Sequence, residues 1–141
     1  VHYDWSCDFS KNGYRLPKEK EWEYAAKAST KKLYAGTSST KKLEDYARFN
    51  DSLFTNNSTD SVKMKAPNDW GFYDMTGNVE EWCWDKYNPN DPNLNAERVY
   101  RGGSCNDHVI GRRLRITRRS KSLPSNQTFY LGFRVCRSIV N

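Results

Sequence analysis

Residues Gly71–Asp85 read GFYDMTGNVEEWCWD, and the way this stretch folds decides how the rest of the chain is understood. Thr76-Gly77-Asn78 is a turn signal, because glycine and asparagine tolerate the left-handed backbone that tight turns need. Trp70, Phe72, Tyr73, Trp82 and Trp84 crowd around it. Rings bury more apolar area than any other side chains, so this segment is expected to form the centre of the core. Just upstream, Pro67-Asn68 marks another turn.

Further upstream, Asn12-Gly13 precedes RLPKEKEWEYAAKAS, the clearest helix start in the chain. Pro17 suits the first helical position, where its missing N–H has no partner to lose. Glu19, Glu21 and Glu23 lie toward the positive end of the helix dipole, with Lys27 toward the other end. Trp22, Ala25 and Ala26 share one helical face, which makes Trp22 a core anchor. From about residue 29 to 68 the chain is polar with little periodicity, which reads as long loops with short elements inside a single domain spanning 1–141.

The 141 residues suffice for one domain with a real core. Five Trp, nine Tyr and six Phe among many polar residues suggest a loop-rich fold held by a few large rings. No apolar run is long enough to cross a bilayer, and the first residues show no signal-peptide pattern. The net charge of +6 is local: between Arg98 and Lys121 only Asp107 opposes Arg98, Arg101, Arg112, Arg113, Arg115, Arg118, Arg119 and Lys121. Cys7, Cys83, Cys105 and Cys136 lack the close spacing of a zinc knuckle or a redox pair. They read as buried thiols or as one of three disulfide pairings.

Downstream, Leu114 and Ile116 alternate with Arg113, Arg115 and Thr117, the period of a strand with one face outward. Leu131, Phe133 and Val135 alternate with Gly132, Arg134 and Cys136 in the same way. Two antiparallel strands joined by an exposed loop around Pro124 is the plain expectation.

Three blocks, GYRLPKEKEWEYAAKA, GFYDMTGNVEEWCWD and RVYRGGS with the later RRS and LGFRVCRS, resemble in order the formylglycine-generating enzyme, or sulfatase-modifying factor, family. The likeness runs from about Cys7 to Ser138. It implies an α+β fold of C-type lectin type, loop-rich with short antiparallel strands, here expected to lack the family's usual N-terminal portion. Within that resemblance the oxygen-dependent enzymes bind copper through two cysteines shortly after R-G-G-S. The corresponding places here fall near Asp107 and Arg112, and Cys105 stands where an aromatic residue is usual. Arginine cannot replace a thiolate as a soft metal ligand or redox centre, so neither copper nor a catalytic residue is expected.

The chain also resembles variable proteins diversified by retroelements, in which adenine-specific mutagenesis rewrites codons between a fixed R-G-G-S and a fixed G-F-R. An asparagine codon altered at its adenines cannot become Glu, Met, Trp, Lys or Gln. Cys105–Arg119 contains only reachable residues, whereas Lys121 and Gln127 would lie outside the diversified set. This resemblance implies a non-enzymatic binding protein shown on a cell surface or virus particle. Its contact face would comprise Tyr100, Asn106, Asp107, His108, Ile110, Arg112, Arg113, Arg118, Ser120, Ser122, Leu123, Phe129 and Tyr130. Forked and aromatic side chains are efficient contact makers, and a protein is the expected ligand, with a glycan as the other candidate.

YDMTGNVEEW resembles the enzymes' calcium-binding segment, which would place a structural calcium on the Asp74 and Glu81 side chains and the Gly77 and Val79 carbonyls. The plain alternative is a tight turn with Glu81 as a local acceptor. Asn50, Asp51 and Asp60 read as a solvated polar loop, and Asn56, Asn57 and Asn126 as chance glycosylation sequons. His2 and His108 lack partners at ligand spacing. The competing functions are a sulfatase-modifying-type enzyme domain, inactive or altered, and a basic nucleic-acid module, the usual use of clustered arginines. The latter lacks any accompanying nucleic-acid-binding motif.

Overall fold

The Lys18 N–H shows why the first regular element begins where it does. In the computed structural model, which describes residues 6–50 and 58–138, that N–H donates to the Glu21 carboxylate at 2.7 Å. Helix α1 therefore spans Glu19–Lys27 behind an extended Lys18. Pro17 sits two places before the first helical residue, not at it, since a proline has no N–H to give this cap. Its carbonyl instead accepts the Trp84 N–H at 2.9 Å. The helix ends on Ala28 in the left-handed conformation. His2, Asp51, Asn56 and Asn57 lie outside the described residues; Asn126 is exposed.

Among the described residues six strands follow the composition expected of a loop-rich α+β chain: β1 Gly13–Arg15, β2 Glu80–Lys86, β3 Arg98–Arg101, β4 Ser120–Ser122, β5 Leu131–Phe133 and β6 Cys136–Ser138. β1 and β6 form a two-stranded antiparallel sheet. The main sheet has the order β4-β3-β2-β5. Its β4–β3 and β3–β2 pairs are antiparallel and its β2–β5 pair parallel.

This arrangement corrects the expected C-terminal hairpin, because β4 and β5 occupy opposite edges of the sheet. Leu114 and Ile116 do not form a strand either. Both are buried, as their apolar character requires. Successive turns close there instead, with Arg115 N–H to Arg112 O at 3.3 Å and Arg118 N–H to Arg115 O at 2.9 Å. Turns put two residues spaced two apart on the same inner side as readily as a strand does. Phe133 and Val135 are exposed, while Arg134 between them turns inward to meet Glu81 at 2.8 Å. A buried carboxylate's need for a cation outweighs the apolar alternation there.

The aromatic stretch is only partly core. Alternation along β2 sends Cys83 under α1, where Trp22, Ala26, Ala35, Met75, Val99 and Ile116 pack with it. Trp22 is the anchor expected of it. Trp82 and Trp84 take the opposite parity and stay half-buried, and Trp70 and Phe72 are exposed. These rings pair edge-on with other rings instead: Trp82 with Tyr100 at 5.5 Å, Trp84 with Phe9 at 5.7 Å, Trp70 with Tyr24 at 4.8 Å. A second core cluster comes from the polar region: Tyr34, Leu43, Ala47 and Phe49 close over Leu114. A 3-10 turn over Thr40–Asp45 supplies Leu43.

Gly77 locks the two halves together. Its N–H donates to Gly102 O at 3.0 Å, and a Cβ there would stand 2.2 Å from the Arg48 carbonyl oxygen. With φ at +76°, the position is closed to larger residues by both conformation and space.

Candidate binding face

The main sheet has two unlike faces. On one, Glu81, Cys83, Val99 and Arg101 meet α1; Trp22 Nε1–H donates to Glu81 at 2.7 Å and Arg101 reaches Glu19 and Glu23 at 2.5 and 2.6 Å. Strand alternation sends Glu80 and Trp82 the other way. There they lie beside their register partners: Trp82 opposite Tyr100, Tyr100 opposite Ser120, and Glu80 and Trp82 opposite Leu131 and Phe133.

The Cys105–Arg119 loop approaches this second face with its backbone fixed from within. The Cys105 N–H donates to Asn78 O at 2.9 Å. Asp107 is buried, and its carboxylate accepts from the Ser104 N–H at 2.9 Å and the Ser104 hydroxyl at 3.0 Å. Its carbonyl takes the Asn50 N–H at 3.1 Å. Gly103 lets the loop close: a Cβ there would meet Arg113 O and Leu114 at 3.0 Å.

Among the thirteen residues expected to make contact, the structure therefore separates supports from contact candidates. Asp107 and Ser120 are buried. Tyr100, Asn106, His108, Ser122 and Tyr130 are half-buried. The His108 ring accepts the Ile110 N–H at 3.2 Å, shaping the short 3-10 turn Val109–Gly111. Ile110 is 81% exposed and Phe129 66%, and Leu123, Arg112, Arg113 and Arg118 also face solvent. Phe129 stands edge-on to Tyr130 at 5.1 Å.

One residue that sequence reasoning passed over lies among them. Glu80 is 5% exposed, and its carboxyl makes no hydrogen bond to any described residue. Burial pushes it up to about 7, the Asp107 charge adding to that and Arg113 and Arg118 opposing it. The same surroundings act on Tyr100, whose hydroxyl is raised by burial and by Glu80. Glu80, Tyr100, Asp107, Arg113, Arg118 and Tyr130 thus form one electrostatic neighbourhood. The signal was present in Glu80-Glu81: adjacent residues of a strand must face opposite ways, so both could not share the Arg134 pair.

Most of the basic run is consumed internally. Arg98 donates to Trp84 O at 2.6 Å, Arg119 to Glu19 and Tyr87 O at 2.8 Å, and Lys121 to Glu97 at 2.6 Å. Arg101 holds Glu19 and Glu23 of the helix and also donates to Ile116 O at 2.6 Å. Arg115 is half-buried. The exposed arginines left in this run are Arg112, Arg113 and Arg118, whose guanidinium groups make no hydrogen bond among the described residues; that of Arg113 lies 3.7 Å from Asp107.

Asp74, Val79 and Glu81, three of the four residues in the expected calcium segment, line one cavity of about 350 Å³. Gly77 is packed behind them against Arg48. Both Glu81 oxygens are already engaged by Arg134, at 2.8 and 2.9 Å, and one also by Trp22. One Asp74 oxygen accepts the Lys63 N–H at 2.8 Å. Calcium takes six to eight oxygens, and with Arg134 in place this set does not supply them. For copper, the resemblance puts the two cysteine places near Asp107 and Arg112, neither of which is a thiol. Cys83 and Cys105 are buried, and burial raises both thiols, away from the metal-binding thiolate form. The four cysteines are free thiols.

A small mixed sheet, an amphipathic helix packed on one of its faces and a solvent-facing loop on a pinned backbone define a scaffold that carries a surface. Residues 3–139 match the sulfatase-modifying factor enzyme 1-like domain, and the chain belongs to this family. It is similar to the solved structure of Treponema denticola variable protein 1, with 36% identity and a TM-score of 0.81 over 93% of this chain and 50% of that one. The formylglycine-generating enzyme of Streptomyces coelicolor is 33% identical over 86% of the chain and 46% of its own length. A Bos taurus relative named inactive C-alpha-formylglycine-generating enzyme 2 is 31% identical over 95% of the chain and 48% of its own length. The chain thus spans about half the length of each. The family includes proteins named as enzymes and as inactive, and the α+β fold is the one these neighbours share.

Proposed function

We propose that this domain is a non-enzymatic binding protein of the retroelement-diversified kind, and that the Cys105–Tyr130 segment presents its contact residues to a protein. The observation that carries this reading is the inward–outward division of that segment. Asp107, Leu114 and Ile116 hold the backbone from inside, while Ile110, Arg112, Arg113, Arg118, Leu123 and Phe129 meet solvent. Such a division lets the outer residues change without disturbing the frame. The likeness to a protein titled variable protein supports it, as does the acid and arginine near the two copper positions. A nucleic-acid module draws less support, because the Arg98–Lys121 run leaves only Arg112, Arg113 and Arg118 exposed for phosphates and affinity scales with the number neutralised.

Two experiments test the reading. The gene's neighbourhood should contain a reverse transcriptase and an imperfect repeat of the Arg98–Arg134 coding segment, differing at adenines. The purified chain, supplied with copper, should leave a cysteine-containing sulfatase peptide unoxidised; formylglycine in that peptide would establish an enzyme instead.

A further inference from the structure

The binding face has a chemical preference, and the inference that follows rests on the binding-protein reading. Three cations stand at its rim without hydrogen-bonded partners among the described residues: Arg112, Arg113 and Arg118. Arg113 forms a long ion pair with Asp107, while Arg112 and Arg118 form none among the described residues. Asp107 spends one oxygen on Ser104 and lies 3.7 Å from Arg113, longer than a hydrogen bond. Glu80 is 5% exposed, and its carboxyl has no hydrogen bond among the described residues. The same segment also exposes the apolar side chains of Ile110 and Phe129. Arginine with aromatic and aliphatic neighbours is the composition of protein-contact hot spots.

We infer that the partner is a protein presenting an acidic patch, whose carboxylates pair with Arg112, Arg113 and Arg118 at the rim while Glu80 keeps negative charge out of the floor. The forked guanidinium accepts a carboxylate through two parallel hydrogen bonds, so three of them specify an arrangement as well as a sign. Glu80 sets a limit on depth. A partner carboxylate pushed below the arginines would meet a second carboxylate there, whereas a hydroxyl, amide or backbone N–H would satisfy an acceptor that now lacks a donor. The arginines of Arg98–Arg119 that fold inward are excluded from this role. Arg101 and Arg119 already hold Glu19, and Arg98 holds a backbone carbonyl.

The probes are a blocked hexaglutamate peptide, a blocked hexalysine peptide and a twelve-residue oligothymidylate, titrated against the chain by calorimetry. Hexaglutamate should bind and hexalysine should not. Binding should weaken from low salt to about 0.3 M. The triple variant Arg112→Asn, Arg113→Ser, Arg118→Ser should bind hexaglutamate about tenfold more weakly at an unchanged melting temperature. At about pH 8.5, where Glu80 is ionised, Glu80→Gln removes the negative charge beneath the rim and should tighten it about threefold. Preference for hexalysine, or a triple variant that binds as well as the wild type, would overturn the acidic partner while leaving a binding face in place. Oligothymidylate bound more tightly than hexaglutamate would assign the rim to nucleic acid and overturn it as well. Oxidation of the sulfatase peptide is a separate outcome that would sink the binding-protein reading itself.

Discussion

Replacing Glu80 by Gln should change how the fold responds to pH. The carboxyl titrates near 7 in the folded chain against 4.5 for an unperturbed glutamate, raised first by burial and then by Asp107. The folded state therefore holds a proton that the unfolded state has lost across that interval. Stability from this group is fully present below about pH 4.5 and drains away as pH rises through about 7, by up to about 3 kcal/mol in all. Glutamine cannot titrate, so the variant lacks this slope, while every other group titrates alike in both chains and cancels. Urea unfolding of the pair at about pH 4.5, 6, 7 and 8.5 measures the difference directly. The variant's stability relative to wild type should climb with pH by up to about 3 kcal/mol, even if its buried amide carries a constant cost of about 1 kcal/mol. A difference that stays flat within about 0.5 kcal/mol would show that Glu80 is solvated or paired in solution, refuting the geometry on which the face is built.

Other expectations follow from single contacts. Arg134→Ala leaves Glu81 buried with only the Trp22 N–H, and should cost about 3–5 kcal/mol in urea unfolding; a cost under about 1 kcal/mol would mean that water or another cation replaces the guanidinium. Gly77→Ala must place a Cβ 2.2 Å from the Arg48 carbonyl at φ +76°, so a loss of at least about 2 kcal/mol, read as a lower melting temperature, is expected. Millimolar calcium should move the melting temperature by less than about 2 °C relative to chelator, because Arg134 already neutralises Glu81. A large rise would show that the guanidinium gives way and the expected calcium segment assembles.

Much of this fold was legible because it follows from local chemistry. Trp22 and its alanines announced a buried helical face, and the Gly77 turn announced a closed backbone. The three-block resemblance supplied the architecture that periodicity alone could not. What periodicity misled was the C-terminal third. Leu114 and Ile116 alternate like a strand, yet consecutive turns bury both, since alternation records only which residues avoid water. Phe133 and Val135 alternate correctly but face outward, because Arg134 is drawn in by a carboxylate that is 53 residues away in sequence. No local signal carries such a pairing. The parallel placement of β5 beside β2 is hidden for the same reason. At the binding face, Ile110, Arg112, Arg113 and Arg118 were readable as outward residues in a basic segment. Asp107 was not readable as a support, because a short aspartate looks the same whether it caps a turn or meets a ligand. Glu80 was hidden by its neighbour: Glu81 drew the attention as an oxygen donor while the strand turned Glu80 toward the face.

The account stands on an outer face that can be rewritten over an inner frame that cannot. The decisive measurement is urea unfolding of one chain carrying Ile110→Ser, Arg112→Asn, Arg113→Ser, Arg118→Ser, Leu123→Ser and Phe129→Ser, beside the single variant Leu114→Ala. The sixfold variant should keep the wild-type unfolding free energy within about 1 kcal/mol, and Leu114→Ala should lose about 2–5 kcal/mol. A sixfold variant that unfolds, or one that costs more than Leu114→Ala, would contradict it.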